Sequence, residues 1–271
     1  MEMLFGIIIF VLGLCFGSFV NMLVYRTAER YELKVCQVYK VHQVKNKSRS
    51  FCDYCGRQLK WYENIPVFSW LILKGRTKCC HKKLPLSYPI VEMLMGILFL
   101  IYYFKFNIFE NNILFWILGL IIIVLLMFST VFDLKYMILP DFSTVILIIL
   151  AVIFLFVETP CVASLQDNIL SALVASGFLL ILNLITKGNG MGMGDVKLAV
   201  CMGLFLGYPK TIIAFYVAFI VGAIWGLILM IFKKATKKSQ VPFGPFMILG
   251  FFVAWWFGNL ILKFVSIKLG L

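Results

Sequence analysis

Charge is what this sequence has least of. Of 271 residues only 14% are charged, acids number 12 and histidines 2, while 62% are hydrophobic. Such scarcity excludes a soluble globular domain, because soluble chains run nearer half apolar and could not hide this much apolar surface. Internal repeats and low-complexity segments are also missing, which speaks against the inverted halves of many secondary transporters. There is no glycine-rich strand–helix fingerprint of the dinucleotide-binding kind, so a conventional nucleotide site is excluded. Ahead of the first apolar run stands "MEM", with an acid and no base, while Arg26 and Arg30 follow the run. A cleaved signal peptide needs the opposite arrangement, so the run reads as a retained span.

What the chain does have is long apolar runs. A bilayer core takes about 17–25 apolar residues per helix. Spans are predicted near 4–25, 88–104, 113–132, 142–157, 168–186, 195–208, 210–232 and 243–265. The fold class expected is therefore an all-α polytopic membrane protein of about eight transmembrane helices with one small loop domain. Starting with the N-terminus outside, the inside segments hold 21 of the 25 basic residues, and the outside ones hold Lys105, Lys210, Lys263 and Lys268. That bias sets the orientation. Anionic lipid accounts for the +13 net charge, and nucleic acid is not needed to explain it. The expected domains are a first helix over 1–25, a basic cysteine-containing cytoplasmic loop over 26–87, and a helical membrane domain over 88–271. About 60 residues make a poor core without a metal or disulfide staple.

With so few acids, each can be inspected. Asp133, Asp141 and Asp195 all abut spans on one side of the bilayer, and an ionisable group there is a functional candidate. Two carboxylates brought together from different helices share one proton. That state suits peptide hydrolysis: the ionised member draws a proton from water and the protonated one donates to the carbonyl oxygen. Gly190, Gly192 and Gly194 of "GNGMGMGDVKL" permit φ > 0 and close approach of a substrate backbone, and Lys197 completes this expected substrate loop. Asp141 follows Pro140 and reads as a helix cap. Composition alone leaves proteolysis, proton-coupled transport and simple capping open.

"GMGMGDVKL" resembles the G-x-G-D motif of intramembrane aspartyl peptidases, and with "DLKYMILPD" 62 residues earlier it resembles type IV prepilin peptidases. "GLCFGSFVNMLVYR" at 13–26, "CDYC" at 52–55, "NIPVFSWLILKGR" at 64–76, "YPIVE" at 88–92 and "VPFGP" at 241–245 match in the family's order. The resemblance implies removal of a basic leader from prepilins or pseudopilins, after a glycine, at the cytoplasmic face of the bacterial inner membrane. N-methylation of the new terminus with S-adenosylmethionine would follow. It places the catalytic pair on Asp133 and Asp195 and leaves Asp141 non-catalytic, with 88–271 as the peptidase domain. Asn21, Arg26, Asn64 and Glu92 recur in family motifs, with helix-end packing as their plain alternative. A transporter using the same carboxylates is the rival from another class.

Cys52, Cys55, Cys79 and Cys80 offer four thiolates for tetrahedral zinc, with His81 as the alternative fourth ligand. A cytoplasmic location argues against disulfides. The family commonly shows two C-x-x-C pairs; here Thr77 occupies the third cysteine's place, and adjacent Cys79 and Cys80 would share a metal only with a strained backbone. Cys15, Cys36, Cys161 and Cys201 read as packing residues and His42 as solvated.

Overall fold

The computed structural model describes residues 2–31, 50–52, 54–106, 112–158, 162–188, 191–232 and 241–269. Cys36, His42, Cys161, Gly190 and the basic segment 233–240 lie outside the described residues. The chain forms α1 (Glu2–Arg30), α2 (Phe68–Ile72), α3 (Ser87–Lys105), α4 (Ile113–Tyr136) and α5 (Asp141–Glu158). Then come α6 (Val162–Ile185), α7 (Met193–Leu206), α8 (Lys210–Ile231) and α9 (Gly244–Leu269). Among the described residues, extended pairing is limited to two antiparallel bridges, Phe51 with Gln58 and Arg76 with Lys83.

Every apolar run became a helix, but not every helix is long enough to cross. Six clearly meet the length and hydropathy of a span: α1, α3, α4, α6, α8 and α9. α5, with 18 residues, sits at the lower end of the range for a span, whereas α7 has 14, about 21 Å against a core of about 30 Å. The sequence sets both limits. Pro140 precedes α5, and α7 is bracketed by extended Gly192 and by Gly207, whose φ of 64° stops the helix. At the other extreme, α1 runs on past residue 25 to Arg30.

Contacts group the chain into two units, Met1–Asn111 and Asn112–Leu271. In the first, α3 packs along α1, burying Val20, Val24, Met95 and Phe99. Cys15 is exposed on α1, away from this seam, so it is not the packing residue expected; Cys201 on α7 is buried. In the second unit α4 is the most enclosed of the long spans, with Ile122, Ile123, Leu126, Phe128 and Phe132 buried and α5 and α9 against it. α7 lies against α5, α6 and α9. Chain direction alternates between neighbours, so the end of α4, the start of α7 and the start of α9 meet at one end of this unit.

Candidate functional site

At that end stand the two aspartates. Asp133 closes the buried stripe of α4, 5% exposed, one turn before Met137, whose left-handed φ of 55° ends the helix. Gly244, the first residue of α9, donates its N–H to Asp133 Oδ2 at 3.1 Å. First-turn amides have no partner inside their own helix and are free for this. Asp195 is the third residue of α7 and 8% exposed. Its Oδ2 accepts the Gly192 N–H at 3.1 Å, the side-chain-to-N-cap half of a capping box. Each carboxylate therefore has Oδ2 held by a glycine amide, and Oδ1 takes no hydrogen bond among the described residues. Asp195 lies near enough to feel the charge of Asp133.

Leu139, from the turn between α4 and α5, fills the space beside both. A Cβ on Gly194 would stand 2.8 Å from Leu139 Cβ; one on Gly244 would stand 2.6 Å from Asp133 Oδ2 and 3.6 Å from Leu139 Cδ1. Glycine lets the start of α9 close on the Asp133 carboxylate, and at Gly194 lets the start of α7 close on Leu139. Close approach, then, is what Gly194 supplies. Among the described residues of the loop, positive φ is found at its first glycine, Gly188, at 76°, and at Lys187 before it, at 50°, where the chain reverses after α6. Gly192 is extended, with φ −78° and ψ 155°. The Asn183 side chain holds the carbonyl of Met191 from the α6 side. Lys197 reaches away from the loop: its Nζ pairs with Asp141 Oδ1 at 2.6 Å, joining the starts of α7 and α5 at an exposed position. Asp141 does open α5, but its carboxylate is in that pair.

The cysteines form a second constellation, in the first unit. The sulfurs of Cys52, Cys55, Cys79 and Cys80 all lie within 4.8 Å of one another; His81 is not among them. Cys52 is 3.8 Å from Cys80 and Cys55 3.3 Å from Cys79, where a tetrahedral zinc with bonds of about 2.3 Å sets sulfurs about 3.8 Å apart. The backbone outlier falls on His81, with φ 55°, and not on either cysteine. Thr77 keeps a role in the absent cysteine's place: its Oγ1 lies 3.1 Å from Cys80 Sγ and accepts the Lys82 N–H. Burial pushes the Cys52 thiol up to about 12, while the bond to Thr77 brings Cys80 down to about 7.

Glu92 and Asn21 are also buried in this unit. Glu92 Oε2 accepts the Val67 N–H at 2.7 Å, and Asn21 donates to the Tyr88 carbonyl at 3.2 Å. Val67 has φ 61°, and the Phe68 N–H closes a three-residue γ-turn on the Pro66 carbonyl at 2.6 Å. That conformation is unfavourable for a β-branched residue. Arg26 and Asn64 are exposed.

Sequence reasoning missed Gly244 and Leu139. Both sit in quoted motifs, "VPFGP" and "ILPD", but what they contribute is a backbone amide and a packed side chain, which residue chemistry does not advertise.

Two family models match the chain. The bacterial peptidase A24 N-terminal domain covers residues 11–106, with the cysteines, and the type IV leader peptidase family covers 120–227, with both aspartates. A relative from Legionella pneumophila is 31% identical over 93% of this chain and 91% of its own. One from Vibrio cholerae is 30% identical, covering 93% and 97%, and one from Neisseria gonorrhoeae 30%, covering 87% and 84%. All three are named prepilin leader peptidase/N-methyltransferase. No solved structure matches.

Proposed function

We propose that this chain, which belongs to the prepilin leader peptidase/N-methyltransferase family, cleaves the basic leader from prepilins or pseudopilins with Asp133 and Asp195 as its catalytic pair. It is a multi-pass protein of the inner membrane. The carrying observation is the matched pinning of two buried carboxylates, each held through Oδ2 by a glycine amide, at one end of one helical unit. Held so, the two Oδ1 atoms are the open ones, and a water between them has an acceptor on one side and a donor on the other. One carboxylate takes a proton from the water as its oxygen attacks the carbonyl carbon of the leader's last residue. The other gives its proton to the carbonyl oxygen. Collapse of the tetrahedral adduct passes a proton to the departing amine, and leader acid and mature N-terminus separate.

The peptide chemistry is thereby assigned to residues within 112–271. With the N-terminus outside, these carboxylates face the cytoplasm, where a basic leader meets an apolar helix. Gly192, Gly194 and Lys197 border the approach. The transporter reading gains no support: both acids gather at one end of the unit rather than through its depth.

N-methylation, the second activity in the relatives' name, calls for S-adenosylmethionine. In the first unit Glu92 and Asn21 are already tied to neighbouring backbone, and among the described residues of that unit Asn21 Oδ1 is the one buried acceptor without a hydrogen bond. One acceptor does not build a methyl-donor pocket, so no residue is assigned to it. The cysteine cluster fits zinc in donor type, number and spacing. Bound there, the ion would tie the two turns at 52–55 and 77–82 together.

Asp133→Asn and Asp195→Asn test the reading, because amide keeps shape and an acceptor but cannot exchange the proton. Each variant is expected to lose cleavage of a prepilin by roughly 10²–10⁴-fold, read by intact mass, while melting like wild type. Cleavage at the wild-type rate by either would sink the assignment.

A further inference from the structure

The segment 50–86 turns part of its apolar surface outward. Phe68, Leu71 and Ile72 on α2 are 59%, 57% and 76% exposed. Residues three and four apart share a helix face, so the three form one stripe. Just before the turn at Val67, Ile65 is 38% exposed, and Trp61 stands 80% exposed in the preceding 3-10 turn. The inward position of α2 is filled by Trp70, against which a Cβ on Gly75 would stand at 2.8 Å. The stretch 61–72 thus turns one half-buried tryptophan inward and leaves five large apolar side chains outside. Patches of that kind mark an interaction surface.

We propose that Trp61–Ile72 is a membrane-surface anchor that lays Ile65, Phe68, Leu71 and Ile72 into an interface of anionic lipid. Three observations select lipid as the occupant. Both ends of the loop are tied to consecutive spans, α1 and α3, so it leaves and re-enters the bilayer on one side. Its charge complements acidic headgroups: Lys60, Lys74, Arg76, Lys78, Lys82 and Lys83 are exposed. Among the described residues of 50–86 the one acid, Glu63, is consumed in an ion pair with Arg57 at 2.6 Å. Apolar stripe, tryptophan and basic rim together are the make-up of an interfacial helix, which binds by apolar burial plus attraction to anionic lipid. The inference rests on the membrane topology and on the surface of this segment, and stands whether or not Asp133 and Asp195 are the catalytic pair.

The test reconstitutes the full chain in nanodiscs doped with a phospholipid that carries a photoreactive diazirine near the headgroup end of its acyl chain. Adducts are mapped by peptide mass spectrometry. Adducts on the Trp61–Ile72 peptide, stronger in phosphatidylglycerol discs than in purely zwitterionic ones, are expected. The triple variant Phe68→Ser, Leu71→Ser, Ile72→Ser should lose them while the spans stay labelled. Ile72→Ser alone should reduce them, and serves if the triple variant does not fold. Labelled spans beside an unlabelled Trp61–Ile72 peptide would overturn the anchor, and equal labelling in both lipids would overturn its assignment to an anionic surface.

Discussion

A single hydrogen atom in place of a methyl group decides how close α9 comes to Asp133. A Cβ at Gly244 would stand 2.6 Å from Asp133 Oδ2, well inside contact distance, so Gly244→Ala must shift the start of α9 or turn the carboxylate. Displacements of about 1 Å at reacting groups cost up to about 10²-fold. We therefore expect Gly244→Ala to lower kcat/KM for leader cleavage by about 10- to 100-fold with helix content unchanged by circular dichroism. Gly226→Ala, where nothing lies within 4 Å of the new methyl, should leave it alone. Retained activity in Gly244→Ala would mean the amide contact is dispensable. The Lys197–Asp141 pair is a different case, since both side chains are exposed and exposed pairs are worth about 0–1 kcal/mol. At this scale the aspartates could be read from the sequence, because acids beside apolar runs are rare here. Gly244 could not, because any residue but proline carries an amide, and 111 positions separate it from its partner.

Among the elements, α7 is the one whose length does not explain its place. Too short to cross the bilayer unaided, it carries Asp195 at one end and depends on neighbours at the other. There Phe205 stacks on Phe154 of α5 at 4.3 Å and meets Phe251 and Trp255 of α9 at 5.0 and 4.9 Å. Helices in lipid are held by such packing, with little hydrophobic drive between them. Phe205→Ala empties the centre of this cluster, and the expected outcome is a lower thermal midpoint in detergent together with slower cleavage, since the far end of α7 loses its alignment. Phe205→Leu, which refills most of the volume, should restore most of both. An unchanged midpoint in Phe205→Ala would show that α6 alone fixes α7. Apolar runs made the helices legible, but helix length and the aromatic contacts that compensate for it depend on pairing across the unit, which a run of apolar letters does not encode.

For the whole molecule, the division at Asn111 and Asn112 separates two kinds of chemistry. The carboxylates with all their holding groups lie after it, and the four clustered cysteines before it. The spacing of those cysteines was readable as a metal set; that adjacent Cys79 and Cys80 both reach it was not, because it is a matter of local backbone, with His81 just beyond them in the left-handed conformation. A loop of this size has little core of its own, and a bound ion contributes its binding free energy directly to the folded form. Cys52→Ser should therefore abolish zinc in the purified protein, measured by plasma emission against protein concentration, while Cys201→Ser, outside the cluster, should leave zinc unchanged. Limited proteolysis should then cut within 50–86 sooner in Cys52→Ser, and the α4–α9 fragments should persist as in wild type. Faster loss of α4–α9 in step with the loop would mean that the second unit leans on the metal site of the first, and that the two are one cooperative body.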